Sequence, residues 1–310
     1  MAKIEDPIEF ELFKNAIFAI GDEMAVTICR TTYSGVLRDN MDFSTALADA
    51  NGKMVAQGLT LPGHLGSIPA ALAVVVERFE GDIGPGDMFI LNDPFDGGMH
   101  LPDIFIFQPL FHEGKRVAFA ATISHHSDVG GRVPGSNASD STEIYQEGLR
   151  IPLVRLFAGG ELVQDIFDLL LLNVRVPHER RGDYFAQVAA CRLGSRRMAE
   201  LAQRYAPEML VRSFDAIMDR TEGRLRDGIR TIPDGVYEFA DLLDNDGMGT
   251  VDIPIAVRIE VKGADIAFDF AGTGDQMKGN FNMTFNAAQS AVYYVLKAML
   301  DPDLPNNYGL

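Results

Sequence analysis

Apolar residues recur at Ile8, Leu12, Ala16, Ile17, Ile20, Met24 and Ile28. That spacing predicts one amphipathic helix running to about Thr31. Asp6 at the cap, Pro7 at the first helical position and Glu9 as the partner of a capping box mark its start. After the polar turn Arg38-Asp39-Asn40-Met41-Asp42, the period changes to two over residues 43–48, a strand. Asn51-Gly52 is a hairpin turn signal, and Met54-Val55-Ala56 is the return strand. Residues 58–69 read as a loop carrying His64, and 70–79 as a helix closed by Gly81. Met88-Phe89-Ile90-Leu91 is a short buried strand. Residues 104–111 and 117–123 are two apolar strands around the polar turn His112-Glu113-Gly114-Lys115, so they pair as a hairpin. Counting back from that turn sets Asp103 beside Ser124 at the open end.

Residues 130–149 are rich in Gly, Ser and acids and read as an ordered loop over that open end, followed by a strand at 151–157. Helical spacing returns from about 165 to 204, broken at Val176-Pro177, and again over 206–229. Arg180, Arg181, Arg192, Arg196 and Arg197 fall in the first of these stretches and are expected on a solvated face. Residues 237–243, 253–261 and 266–270 alternate as antiparallel strands, and 287–299 close as a helix. The expected class is mixed α/β of the α+β kind, with mainly antiparallel strands. Three regions are expected: an α/β region with the candidate site at 1–164, a helical region at 165–235, and a β-rich region with a final helix at 236–310.

At 310 residues and 47% hydrophobic, the chain is long enough for a substantial core. A net charge of −17 argues against nucleic acid and anionic membrane as partners. No apolar run reaches the roughly 20 residues of a membrane span, and the N-terminus lacks a signal-peptide core. The two cysteines, Cys29 and Cys191, have no paired spacing, which fits a reducing cytoplasm. Neither has a base nearby in sequence, and both are expected to be inert.

Candidate chemistry concentrates in residues 92–131. This stretch opens on Asn92-Asp93-Pro94-Phe95-Asp96-Gly97-Gly98-Met99-His100-Leu101-Pro102-Asp103 and closes on Ser124-His125-His126-Ser127-Asp128-Val129-Gly130-Gly131. These two end pieces hold three of the chain's six histidines. Two polar turns at the ends of paired strands can bring His100, Asp103, His125, His126 and Asp128 together. Imidazole nitrogen with carboxylate oxygen suits a divalent metal such as Zn or Mn. Pro102 between His100 and Asp103 argues for a fixed turn rather than a helix. His125 and His126 point to opposite sides of an extended chain, so one can bind metal while the other faces a pocket or the core. His126 is either a proton carrier or a hydrogen-bonded structural residue. Asp128 either assists catalysis by orienting a ligand histidine or belongs to the turn before Gly130. Asp93 and His64 are candidate substrate contacts, with turn-capping and structural roles as the alternatives. Gly272-Thr273-Gly274 lacks the Lys and Ser/Thr of a phosphate loop, so no ATP site is expected in this chain.

Several of these motifs, in this order, resemble the hydantoinase B/oxoprolinase family. They are Met41-Asp42-Phe43-Ser44, Pro62-Gly63-His64-Leu65-Gly66-Ser67-Ile68-Pro69, residues 91–103 and 125–136, Glu143-Ile144-Tyr145-Gln146-Glu147-Gly148-Leu149-Arg150-Ile151-Pro152, Asn173-Val174-Arg175, Arg180-Arg181-Gly182-Asp183, and Asp269-Phe270-Ala271-Gly272-Thr273. The family comprises B-type subunits of ATP-dependent hydantoinases, 5-oxoprolinases and caprolactamase, with a related subunit in acetone and acetophenone carboxylases. The resemblance implies a divalent metal held by Asp42, His100, Asp103 and His125. It adds Asp42 to the set and prefers His125 over His126. It implies an A-type partner subunit that binds ATP, within a larger hetero-oligomer, and a small cyclic amide as substrate. On this reading, water activated at the metal attacks an amide phosphorylated in the partner. A ketone carboxylase subunit and a non-catalytic assembly subunit with a structural metal are the alternatives. It also implies a polypeptide continuing past the position of Leu310, which leaves open a split or truncated subunit, a fragment of a longer chain, or an authentic terminus.

Overall fold

The computed structural model describes residues 6–58 and 61–310. The N-terminal reading over residues 1–5, and positions 59 and 60 of the 58–69 loop, lie outside the described residues. Helix α1 spans Pro7–Thr31 and is capped by Asp6, whose carboxylate accepts from Ile8 N at 2.8 Å. A single turn, α2 (Gly35–Arg38), leads to β1 (Phe43–Asp49) and β2 (Met54–Gln57). Helix α3 (Ser67–Arg78) is followed by β3 (Met88–Leu91), β4 (Asp103–His112) and β5 (Lys115–His125). Two short strands, β6 (Val154–Ala158) and β7 (Glu161–Leu162), precede α4 (Gln164–Leu172), α5 (Pro177–Arg204) and α6 (Pro207–Ile229). Strands β8 (Gly235–Asn245), β9 (Val251–Lys262) and β10 (Asp265–Asp269) and helix α7 (Phe285–Leu300) complete the chain.

Seven strands form one antiparallel sheet in the order β2-β1-β5-β4-β3-β6-β7, and three form a second in the order β10-β9-β8. The expected mixed α/β class with antiparallel strands is what the chain adopts. Both faces of the larger sheet are covered. One packs Leu47, Ile104, Ile106 and Ala120 against Ile17 and Met24 of α1 and Val188 and Cys191 of α5. The other packs Ala46, Phe105, Phe107 and Ile123 against Ile68, Leu72 and Val75 of α3. All seven residues of β1 are therefore buried, and its alternation separates two apolar faces.

The β4–β5 hairpin departs from the expected register by one residue. Its turn carries Glu113 and Gly114 at φ 49° and 77° and pairs His112 with Lys115. The register then shifts between Leu110 and Phe111, passing over Val117, so Leu110 faces Ala118 and Asp103 faces His125 instead of Ser124. This bulge turns His125 to the same face as Asp103.

Arg180 corrects the expectation of a solvated arginine face, because it is fully buried at 1% exposure. Arg181, Arg192 and Arg196 are exposed as expected. Burial pushes the Cys191 thiol up to about 12, in keeping with an inert cysteine. Among the described residues no helix is long and apolar enough to cross a membrane.

Candidate metal centre

The centre forms where three neighbouring strands meet at one end of the large sheet. Asp42 immediately precedes β1, Asp103 opens β4 and His125 ends β5. Phe43 faces Ser124 across β1 and β5, and His125 N donates to Asp42 O at 3.0 Å. Residues two apart share a face, so Asp42 follows Ser44 and Ala46 to the α3 side, His125 follows Ile123, and Asp103 follows Phe105. His100 arrives from the turn before β4, where Asp103 N donates to His100 O at 2.9 Å. His64 arrives from the turn before α3.

His100 Nδ1 lies 2.7 Å from Asp103 Oδ2. His125 Nδ1 lies 3.6 Å from Asp103 Oδ1 and 3.9 Å from Asp42 Oδ2. His64 Nε2 lies 3.8 Å from Asp103 Oδ2, while its Nδ1 meets Ser44 Oγ at 3.0 Å. One ligand atom from each of His100, Asp103 and His125 falls within 4.8 Å of the others. Asp103 is the floor of the cluster at 2% exposure, and the His100 side chain, 44% exposed, is its open edge. Burial alone would raise the Asp103 carboxyl, but the hydrogen bond from His100, the nearby His125 ring and the electrostatic influence of His100 and His64 hold it well below the usual range. Burial opposes the charging of His100, yet its bond to Asp103 and the charges of Asp103 and Asp42 raise its proton affinity. His64 is pushed down by burial. Glu147, from the 130–149 loop, is raised by its own burial and acts on His100 through its charge.

The donor set fits a divalent metal. Asp103 Oδ1 is buried with no hydrogen-bond partner, which is costly for a carboxylate oxygen unless a cation completes its shell. Nitrogen and oxygen donors without thiolate suit Zn or Mn and leave room for a further ligand at the open His100 edge.

The other sequence candidates are set apart. His126, one residue on from His125, faces α5. It is wholly buried, with Nε2 3.0 Å from Gln187 Oε1 and its ring 4.5 Å from that of Tyr184. Burial and the neighbouring Arg180 push it down to about 4, so it is neutral. This is the hydrogen-bonded structural placement, on the side of the sheet away from the cluster. Asp128 accepts from Arg175 N at 2.8 Å and pairs with Arg175 Nη1 at 2.6 Å, which ties the 130–149 loop to the segment before α5. Asp93 caps the turn that follows it, accepting from Phe95 N at 3.0 Å, and pairs with Arg150 at 2.8 Å. His64, by contrast, belongs to the cluster.

Sequence reasoning assigned no role to Asn92, which holds the His100 loop in place. Its Nδ2 donates to Leu101 O at 2.7 Å and Leu149 O at 2.9 Å, and its Oδ1 accepts from Ile151 N at 2.6 Å. A polar residue closing a wholly apolar strand was the available signal. The same loop lies against α3 at Gly97, whose φ is +94° and where a Cβ would stand 2.5 Å from Ala71 N. Asn92→Ala removes the partner of two buried polar groups, Leu101 O and Ile151 N, and of the partly buried Leu149 O. It is expected to cost about 2–4 kcal/mol, read as a lowered denaturant midpoint.

Fold and site together define a class: an antiparallel α+β chain whose sheet end gathers two histidines and a buried aspartate fit to hold a divalent metal, with Asp42 and His64 beside them. The chain belongs to the hydantoinase B/oxoprolinase family, whose sequence pattern matches residues 6–310. It is 34% identical over 309 residues to an uncharacterized protein of Methanocaldococcus jannaschii, covering 98% of this chain and 54% of that one. It is 33% identical over 305 residues to the caprolactamase subunit beta of Pseudomonas jessenii, covering 98% of this chain and 52% of that one. The crystal structure of the ATP-dependent caprolactamase of Pseudomonas jessenii superposes with a TM-score of 0.92 at 31% identity, over 99% of this chain and 53% of the other. A nucleotide-free acetone carboxylase structure shares the fold, with a TM-score of 0.90 at 18% identity over 98% of this chain and 42% of the other. The chain thus spans about half the length of the curated relatives it matches.

Proposed function

We propose that this chain is the metal-holding part of a B-type subunit in an ATP-dependent amide hydrolase. It would work with an ATP-binding A-type partner to open a small cyclic amide in a reducing cytoplasm. The observation that carries this reading is the convergence of Asp42, Asp103 and His125 on three adjacent strands with His100 over them. Sequence identity near one third to a caprolactamase beta subunit supports the amide class.

Asp42, His100, Asp103 and His125 would hold the ion. Bound there, a divalent ion supplies a Lewis acid that brings the pKa of water towards neutrality. Asp103 is the buried anionic anchor, and its low proton affinity keeps it ionised. His100 stands at the open edge and meets whatever enters. His64, whose charging is opposed by burial, is oriented by Ser44 with Nε2 turned to the cluster, where it could take or return a proton.

The test is metal content together with ATP-dependent turnover on a panel of cyclic amides and ketones, for the protein with its A-type subunit. Wild type is expected to carry stoichiometric metal and open a cyclic amide, and His100→Ala to lose about 100-fold in both metal affinity and turnover. Bicarbonate-dependent ketone consumption would replace the amide reading with the carboxylase one. Full activity from metal-free wild type would remove the metal from it.

A further inference from the structure

On the face turned away from the cluster, β5 is polar where an apolar strand would pack as well. Thr122, Ser124 and His126 are all fully buried there, alternating with Ile123 and His125 on the other side. Opposite them, α5 presents Arg180, Asp183, Tyr184, Gln187 and Cys191, which recur with the helical period and are all buried. The bonds made by this stripe have a pattern. Gln187 Nε2 donates to Ile104 O at 2.8 Å and to Thr122 Oγ1 at 3.2 Å, and its Oε1 meets His126 Nε2 at 3.0 Å. Ile104 is the residue after Asp103, and His126 the residue after His125.

One turn earlier, Asp183 Oδ1 accepts from Tyr33 N at 2.8 Å, from Ser34 N at 3.1 Å and from the Thr32 hydroxyl. Ser34 caps α2 through Leu37 N. Within α2, Val36 O accepts from Asp42 N at 3.2 Å, and Asp42 O in turn accepts from His125 N. Two side chains on one face of one helix therefore hold the backbone beside Asp103, the ring of the residue after His125, and the turn that sets Asp42.

We propose that Asp183 and Gln187 are positioning residues of the metal centre, fixing Asp42, Asp103 and His125 from behind the sheet. This rests on the reading that those residues hold a metal. A buried polar group costs free energy unless it is paired, and an apolar pair would fill the same space without that demand. A bonded network has one satisfied arrangement, whereas an apolar contact tolerates small rotations. Ligands a few tenths of an ångström out of place bind a metal less well, so the network acts on affinity beyond its share of stability.

The experiment uses the full chain with the subunit that co-purifies with it. Mn²⁺ and Zn²⁺ affinities are measured by competition with a chelator, the Mn²⁺ electron paramagnetic resonance linewidth is recorded, and metal-free unfolding is followed in parallel. Gln187→Met preserves volume and removes the bonds, Asp183→Asn weakens the acceptor, and Met198→Ala is a buried control elsewhere on α5. Gln187→Met and Asp183→Asn are expected to weaken both metals about tenfold and to broaden the manganese signal. Met198→Ala is expected to lower stability and leave affinity unchanged. Wild-type affinity in Gln187→Met would overturn the positioning role, as would an affinity loss in the control that matches its loss of stability. If Asp183→Asn does not fold, Gln187→Met decides the matter alone. A wild type that binds neither metal refutes the metal reading itself, and the positioning role with it.

Discussion

Asp103→Asn is expected to strip the protein of its metal while leaving the sheet intact. The side chain keeps its shape, so Phe105 and the β4–β5 pairing are undisturbed, but the amide carries no charge. Asp103 is the one carboxylate at the centre of the cluster, touching His100 at 2.7 Å, His125 at 3.6 Å and His64 at 3.8 Å. Its second oxygen is buried and unbonded, and an asparagine amide there offers a cation nothing comparable. Loss of affinity should be at least about 100-fold, since even outer partners of metal ligands are worth about 10–100-fold. Metal analysis after dialysis and calorimetric titration would read it. Retention of stoichiometric, tightly bound metal would show that the deepest carboxylate is not a ligand.

Arg180→Ala should be the more damaging change to the fold. The guanidinium is buried against Asp183 at 3.0 Å and against Glu179. Its removal leaves the Asp183 carboxylate in the interior without a counter-charge, and breaking a buried pair from one side typically costs about 3–5 kcal/mol. Replacing Arg180 by Met together with Asp183 by Asn should cost less, because no charge is then stranded and the Asn oxygen can still accept from Thr32, Tyr33 and Ser34. Urea midpoints of Arg180→Ala, Arg180→Met and the double variant Arg180→Met with Asp183→Asn would measure this. A loss below about 1 kcal/mol in Arg180→Ala would place the pair among the weak surface-like ion pairs.

Much of the fold was legible in the residue pattern. Helix α1, the Asn51-Gly52 hairpin, the β4–β5 pair, the break at Pro177 and the late strands all follow local rules of period and turn chemistry, which need no knowledge of the rest of the chain. The candidate site was legible in outline for the same reason, because His100, Asp103 and His125 sit at the ends of strands whose pairing could be read. Asp42 came from family resemblance alone. Its pairing partner is 83 residues distant in sequence, since Asp42 O receives His125 N. Periodicity carries no information about which strand lies beside which. The burial of Arg180 was illegible for a related cause. A helix with charges all round shows no stripe, and only the sheet packed against α5 reveals which arginine is inside.

The register of the site was decided by tertiary structure. Counting pairs from the His112-Glu113-Gly114-Lys115 turn gives Asp103 opposite Ser124, and that count is right as far as Phe111. Passing over Val117 shifts every later pair by one residue, and a shift of one moves alternate side chains to the opposite face. Val117 is buried against the α1 and α5 core, so the bulge forms where the sheet meets its helices. The amino-acid pattern by itself determined which residues were available to this centre and which elements carried them. Which of two adjacent histidines faces the cluster, and which is held in a buried network on α5, depended on one extra residue in a strand, a choice made by packing energies spread over distant parts of the chain.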